Sequence, residues 1–190
     1  GVSVEELTNA YAAIANGGLF QDAFLIDKIT DSEGKVVFEH RASPKRVFTE
    51  QTAYLMTDML RTVITNGTAT EVRRVFEHED KIPIVGKTGT TSDNHDLWFV
   101  GYTPDVTLGV WIGYDQPAEL TNGQRAKRIW AEVMNELVDA KADLFVTDSF
   151  QKPEDIVSKT VSAVSGLLPS EAVIKAKLTV TDIFNRKYIP

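Results

Sequence analysis

The sequence contains no cysteine among its 190 residues. Disulfide bonds, thiolate metal sites and a cysteine nucleophile are therefore excluded. Histidine is scarce, and its three copies, His40, His78 and His95, do not have the spacing of metal ligands. No apolar run approaches the length of a membrane-spanning helix. We expect no metal, no cofactor and no membrane segment in this chain.

A basic surface is also missing. The formal net charge is -7, from 20 Lys and Arg against 27 Asp and Glu. Nucleic-acid binding needs a positively charged face, so a nucleic-acid partner is not expected. Hydrophobic residues make up 43% of the chain, which is ordinary for a protein with a packed core.

Helical and strand patterns alternate along the chain. Three amphipathic helices are predicted: one that Ser3 and Glu6 begin as a capping box, one from Thr49 to Asn66, and one carrying Ala126 to Leu137. A hairpin is predicted from Phe24–Ile29 and Lys35–Phe38, and a polar loop from Arg73 to Lys81. Three further strands are expected at Ile82–Gly86, Trp98–Tyr102 and Val106–Tyr114.

The charge balance changes near Ser149. Residues 1–149 carry 14 Lys and Arg against 23 Asp and Glu, whereas residues 150–190 carry 6 against 4. We therefore predict a main body over 1–149 and a tail or linker module over 150–190. The tail is too short to bury a core alone. The abrupt helical start at Gly1 leads us to expect a piece of a longer protein.

One short motif has the properties of a wall in an acyl-transfer site. Lys87-Thr88-Gly89-Thr90 follows a buried strand, and a strand edge offers a backbone N–H that can polarise a carbonyl. Gly89 would let a peptide lie close to that edge. Thr88 and Thr90 are two residues apart, so their hydroxyls face one side and could hold a carboxylate. Lys87 would supply positive charge.

Several separate motifs, in order, carry a family resemblance. Gly86 to Thr91, Trp98 to Pro104 and Val110 to Tyr114 resemble the C-terminal half of the transpeptidase domain of class A penicillin-binding proteins. Gly1 to Gly18 and Asn66 to Ala69 resemble the same domain. The resemblance covers about residues 1–140. It implies an α+β fold with an antiparallel sheet flanked by helices, part of the fold shared with β-lactamases, followed by a short C-terminal tail module.

The resemblance also implies a function. A serine D,D-transpeptidase attacks the D-Ala-D-Ala end of a peptidoglycan stem peptide, and β-lactams trap its serine. The implied catalytic residues are Lys87 and Thr90, the latter through its backbone oxyanion-hole N–H. Thr88, Gly89 and Thr90 are the implied substrate-binding residues. The implied location is the outer face of the bacterial cell membrane, with an anchor upstream.

The serine itself is expected elsewhere. The family needs Ser-x-x-Lys at the head of a helix and Ser-x-Asn on a facing loop, both before Lys-Thr-Gly. Ser32 to Lys35 reads as a turn, Ser149 to Lys152 precedes Pro153, and Ser92 to Asn94 lies beyond the Lys-Thr-Gly strand. We expect the functional motifs on the missing N-terminal part, the chain's necessary partner, and expect this chain alone to be inactive.

Two alternatives remain open. The first is that the chain derives from a D,D-carboxypeptidase or β-lactamase relative, in which water replaces the amine. The second is that it acts only as a non-catalytic wall-binding or interaction module. Because strands from upstream would be missing from the sheet, the isolated chain is expected to self-associate or to be unstable.

Overall fold

The computed structural model describes all 190 residues, which form five helices and nine strands. The helices are α1 (Val4–Ala15), α2 (Glu50–Thr65), α3 (Thr70–Val75), α4 (Arg125–Ala140) and α5 (Glu171–Lys175). The strands are β1 (Leu19–Phe20), β2 (Lys28–Thr30), β3 (Val36–Glu39), β4 (Lys45–Arg46), β5 (Val85–Thr90), β6 (Leu97–Tyr102), β7 (Thr107–Ile112), β8 (Ile156–Ser162) and β9 (Thr179–Asn185). The α+β class predicted from the sequence is confirmed.

Helix α1 begins where the sequence predicts. The Ser3 hydroxyl accepts a hydrogen bond from the Glu6 N–H at 3.1 Å, and the Ser3 N–H donates to the Glu6 carboxylate at 2.7 Å. This reciprocal capping box satisfies two backbone groups that a helix start leaves free. The hydrogen bond from the Ser3 backbone holds the pKa of Glu6 below its usual value.

The predicted hairpin is present but shifted along the chain. Its strands are β2 and β3, paired antiparallel with Lys28 opposite Glu39. The first strand therefore begins four residues later than Phe24, the predicted start. The Asp31 carboxylate accepts hydrogen bonds from the N–H groups of Glu33 and Lys35 and closes the turn. A separate two-stranded sheet pairs β1 with β4.

Two further boundaries differ from the sequence prediction. The segment from Arg73 to Lys81 was expected to be a loop, but its first three residues complete α3. Val72 of α3 is fully buried, so packing stabilises a helix too short to be predicted from periodicity. Strand β5 begins at Val85 instead of Ile82 and includes Lys87 to Thr90.

The central sheet is antiparallel, with strand order β5-β6-β7. Its register places Lys87 opposite Val100 and Gly89 opposite Trp98. Because side chains alternate along a strand, Gly86, Thr88 and Thr90 share one face with Phe99. That face packs on α4 and is named the α4 face. The opposite face contacts α1 and is named the α1 face.

The main core lies on the α4 face. Trp130 of α4 is completely buried, stacks edge-on against Phe99 at 5.3 Å and donates from its indole nitrogen to the Leu108 carbonyl. Gly101 has no side chain because Trp130 occupies that space: a Cβ there would lie 2.9 Å from the indole ring. Thirteen buried residues form this cluster.

The tail, residues 150–190, packs on the main body where it begins, at Phe150. Strands β8 and β9 form a two-stranded antiparallel sheet with α5 in the connection between them, and Ile156 and Val161 are buried. The ring of Phe150 meets Tyr102 edge-on at 5.7 Å. Asp105 accepts hydrogen bonds from the N–H groups of Val146 and Thr147, which fixes the segment leading to the tail. None of the helices has the length and apolar character needed to cross a membrane.

Candidate functional site

Strand β5 is an edge strand, since β6 is its only partner. The Thr91 N–H donates to the Asp96 carbonyl and continues the β5–β6 ladder by one pair. Hydrogen-bonded and non-hydrogen-bonded pairs alternate in an antiparallel ladder, so the N–H groups of Thr88 and Thr90 point away from β6. The outer edge of Lys87 to Thr90 therefore presents two backbone N–H donors, those of Thr88 and Thr90, to a ligand that lies alongside.

Lys87 lies on the α1 face, as the alternation of the strand requires. Its side chain is exposed, and its ammonium donates to the Thr88 carbonyl at 2.9 Å. The ammonium thus reaches along the strand toward Gly89. Lys87 and Gly89 line a shallow cleft with Tyr11 and Trp98. Lys87 and Gly89, which were assigned to one site from the sequence, both line this cleft; Tyr11 and Trp98 were not assigned to it.

Thr88 and Thr90 lie on the opposite face, at its uncovered edge. The Thr88 hydroxyl is 2.9 Å from the hydroxyl of Thr68, in the turn that follows α2. Thr90 is exposed and borders a polar recess that also includes His95 and Asp96. The two hydroxyls share a face as predicted, but the Lys87 side chain starts from the other face.

Gly89 is the one position of this segment without a side chain. It pairs with Trp98 across the ladder, and a Cβ on Gly89 would lie 3.0 Å from the Trp98 Cβ. Trp98 is half-buried and tilts against Trp111, with 6.3 Å between ring centroids. The absence of a side chain therefore keeps the strand surface low beside a fixed aromatic wall.

The loop between β5 and β6 is held by a network of hydrogen bonds that the sequence did not reveal. The Asp96 carboxylate accepts from the Thr91 hydroxyl at 3.0 Å and from the Trp111 indole at 2.9 Å. Asp93 and Asn94 have positive φ angles of 60° and 53°, a conformation that these two residue types tolerate. In the sequence, the only hint that Asp96 holds this loop was its position between two predicted strands.

Lys127 is a second residue that sequence reasoning missed. It lies in the first turn of α4 and is buried, with 7% of its surface exposed. Its ammonium donates to the Thr68 carbonyl at 3.0 Å. Burial lowers the pKa of Lys127, and the charge of Glu71 opposes that shift. On the amphipathic pattern of α4 this position gave no signal of burial.

The three serines that belong to chance matches of the Ser-x-x-Lys and Ser-x-Asn patterns lie in turns or irregular chain, as expected. Ser32 lies in the hairpin turn, Ser92 begins a single 3-10 turn, and Ser149 is in irregular chain beside Asp148, to which its hydroxyl donates. None of them lies at the start of an α-helix that also carries its lysine. Ser149 and Lys152 border a cleft between α2 and the tail, away from β5.

Comparison with known families matches residues 1–135 to the family described as the penicillin binding protein transpeptidase domain. The chain is 36% identical over 135 residues to penicillin-binding protein 1A of Clostridium acetobutylicum, covering 70% of this chain and 16% of that protein. It is 30% identical over 193 residues to penicillin-binding protein 1A of Clostridium novyi, covering 100% of this chain and 22% of the relative.

Among solved structures, penicillin-binding protein 1A from Haemophilus influenzae matches with a TM-score of 0.79 at 22% identity. The match covers 97% of this chain and 32% of that chain, so the likeness in fold extends into the tail. The present chain spans about a fifth of the length of the two clostridial relatives.

Proposed function

Because this chain belongs to the penicillin-binding protein transpeptidase family, we propose that it forms the Lys-Thr-Gly wall of a serine D,D-transpeptidase. The substrate would be the D-Ala-D-Ala end of a peptidoglycan stem peptide. The enzyme would act at the outer face of the bacterial membrane, where this polymer is cross-linked. β-Lactams, as mimics of the donor peptide, would be its covalent inhibitors.

The reaction has two acyl transfers. A serine Oγ attacks the carbonyl of the penultimate D-Ala, and the terminal D-Ala leaves as an amine that takes a proton. An amine of a neighbouring stem then attacks the resulting ester, forms the cross-link and returns the serine. Both steps pass through an oxyanion, which backbone N–H groups stabilise best when they are fixed before the reaction.

Each residue of the wall has a part in this chemistry. The outward N–H of Thr90 would donate to the developing oxyanion. The hydroxyls of Thr88 and Thr90 would hold the terminal carboxylate of the donor or the drug. Gly89 would let the donor backbone approach the strand. The exposed ammonium of Lys87, close to the Thr88 carbonyl, would attract the anionic end of the substrate and favour the charged form of nearby acids.

The observation that carries the proposal is that no strand pairs with the outer edge of β5. The only partner of this strand is β6, and the alternation of the ladder directs the Thr90 N–H outward. An extended donor peptide can add along such an edge as a further strand would. The same segment in the middle of a sheet would have no donor to offer.

The nucleophile would reside outside this chain. Ser-x-x-Lys and Ser-x-Asn would lie on a preceding segment of the parent protein, together with any membrane anchor. The wall would then be one side of a cleft, and the preceding segment the other. This chain alone would not form an acyl-enzyme.

Labelling with a fluorescent penicillin tests the proposal. It would be applied to this chain alone, and to this chain co-expressed with its preceding segment. We expect no labelled band in the first case and a label on the preceding segment in the second. Ser32→Ala and Ser149→Ala variants of this chain serve as matched controls and should not change the result.

Labelling of this chain alone, removed by either serine variant, would refute the proposal. With a D-Ala-D-Ala donor peptide in place of the drug, the acyl-enzyme should transfer its acyl group to an added amine. Release of the product by water only would favour a D,D-carboxypeptidase or β-lactamase instead.

A further inference from the structure

Lys127 occupies a position that is unfavourable for a lysine. Its side chain is buried in the first turn of α4, and no carboxylate lies within ion-pair distance of its ammonium. Glu71, the acid whose charge acts on Lys127, is instead 3.4 Å from Arg74. A buried charge without a partner destabilises a fold unless it makes hydrogen bonds that compensate. The stability of α4 does not require a lysine at this position, since a buried apolar residue would serve the helix equally well.

The one hydrogen bond of this ammonium leads to the candidate site. It reaches the Thr68 carbonyl at 3.0 Å, and the Thr68 hydroxyl lies 2.9 Å from the Thr88 hydroxyl. Thr68 belongs to the short turn between α2 and α3, next to the fully buried Ala69. Lys127 thus holds the backbone of the residue whose side chain contacts β5.

The direction of the hydroxyl pair matters for substrate binding. A threonine hydroxyl has one hydrogen to donate and two lone pairs to accept with. If Thr88 donated to Thr68, it would have no hydrogen left for a carboxylate. When Thr68 donates to Thr88, the Thr88 hydrogen stays free and its oxygen is already held. The direction of this hydrogen bond therefore decides whether Thr88 can donate to a carboxylate, and the position of Thr68 decides whether the bond forms at all.

We propose that Lys127 is a positioning residue for Thr88, acting through the backbone and hydroxyl of Thr68, and that it tunes recognition of the donor carboxylate. This inference rests on the proposed function, because Thr88 holds a carboxylate only in that reaction. The ammonium also carries a positive charge that no acid contacts. It bonds Thr68, the residue beside Thr88 of β5. Both effects favour a bound anion.

Acylation kinetics of the chain co-expressed with its preceding segment provide the test. Benzylpenicillin carries the carboxylate, whereas its methyl ester does not. Lys127→Met keeps an unbranched side chain only one atom shorter and removes the charge and the donor. Thr68→Val keeps the shape of an exposed side chain and removes only the hydroxyl. Arg128→Met, at the exposed neighbouring position of α4, is the matched control.

We expect Lys127→Met and Thr68→Val each to slow acylation by benzylpenicillin by about tenfold, through weaker initial binding and not through the chemical step. Acylation by the methyl ester should change by less than about twofold in both variants. Arg128→Met should behave as the unchanged protein with both compounds. Thermal unfolding of Thr68→Val should match the unchanged protein, which keeps this arm informative if Lys127→Met folds poorly.

Three outcomes would overturn the inference. Equal losses with acid and ester would reduce Lys127 to a general structural role. Normal acylation of Thr68→Val by benzylpenicillin would remove the connection to Thr88. If the unchanged protein reacts with neither compound, the proposed function fails, and the inference falls with it. The first two outcomes leave the proposed function standing.

Discussion

The two faces of the central sheet are made from the same three strands but are covered to different extents. On the α4 face, Phe99 and Trp130 are completely buried in the main core. On the α1 face, Tyr102 and Val85 are buried at one end, but Lys87 is exposed and Trp111 keeps 39% of its surface accessible. Coverage therefore decreases across the α1 face toward its Lys-Thr-Gly end, whereas on the α4 face it decreases only at the strand edge, where Thr90 is exposed.

This asymmetry separates stability from recognition within one small sheet. The covered face gains free energy from burial, roughly 25 cal/mol for each Å² of apolar surface. The open part of the other face gives up that gain and keeps a cleft beside a strand edge. Thr88 stands where the two regions meet, since its side chain starts from the covered face and reaches the open edge. Substitutions on the covered face should accordingly change the free energy of unfolding, and substitutions beside the open cleft should change acylation by penicillin.

The largest loss of stability is expected on the covered face. Trp130→Ala would leave a cavity beside Phe99 and remove the hydrogen bond to the Leu108 carbonyl. Aromatic-to-alanine changes in cores cost about 3–5 kcal/mol. Urea unfolding followed by circular dichroism measures the free energy of unfolding.

Ile129→Ala is the control for that experiment, because Ile129 precedes Trp130 on α4 but is 40% exposed. It should cost about 1 kcal/mol or less. Similar losses in the two variants would contradict the division between a covered and an open surface.

A smaller effect is expected from Tyr102, at the buried end of the α1 face. Its hydroxyl is 2.9 Å from that of Thr57, and burial raises the pKa of Tyr102 to about 12. A pKa above the unfolded value of 10 means that the folded state binds the proton more tightly. Stability is therefore complete below pH 10 and decreases as the pH rises through 12.

Urea unfolding at pH 9 and pH 11 tests this dependence with Tyr102→Phe. The unchanged protein should lose about 1.4 kcal/mol more than the variant between these two pH values. The variant should also be less stable at pH 9 by about 1 kcal/mol, because the hydrogen bond to Thr57 is gone. Parallel pH profiles would mean that water reaches Tyr102 and that this end of the face is open too.

At the Lys-Thr-Gly end of the sheet, we expect the loop after β5 to affect both the free energy of unfolding and the rate of acylation. Asp96→Ala removes the bonds to the Thr91 hydroxyl and the Trp111 indole. Asp96 is half-buried, so the loss of stability should be about 1–2 kcal/mol. Penicillin acylation of the chain with its preceding segment should fall by about tenfold, because Thr90 loses its fixed neighbour.

Asp115→Ala, an exposed acid in the loop after β7, controls for the loss of one negative charge. It should leave both the free energy of unfolding and the acylation rate within experimental error. An acylation defect in Asp115→Ala as large as that of Asp96→Ala would point to net charge in place of the loop.

Much of this architecture was predictable because local signals agreed with the tertiary structure. Ser3 and Glu6 form the predicted capping box, and Asn66 caps α2 at its C-terminal end. The alternation around Val110 is typical of a strand with one face toward the core, and Leu108, Val110 and Ile112 of β7 pack, partly buried, against the main core. These elements follow from patterns that span only a few neighbouring residues.

Other features depended on residues far apart in sequence. Lys127 and Thr68 are 59 residues apart, and no spacing rule relates them. Arg73 to Val75 is helical because α3 packs Val72 into the core, a contact that periodicity cannot reveal in a helix of six residues. The start of β2 was misplaced because Phe24 to Ile26 are apolar yet largely exposed, so hydrophobicity there did not report burial.

The smallest effect on stability is expected at Lys87, and it tests the comparison most directly. Its side chain is exposed, and its only hydrogen bond is to the adjacent Thr88 carbonyl. Lys87→Met should change the free energy of unfolding by no more than about 0.5 kcal/mol. The same variant, co-expressed with the preceding segment, should lose nearly all labelling by fluorescent penicillin. Lys159→Met, an equally exposed change on β8, should alter neither quantity. If Lys87→Met is labelled normally, the open face has no part in acylation and the separation between the two faces is only one of packing.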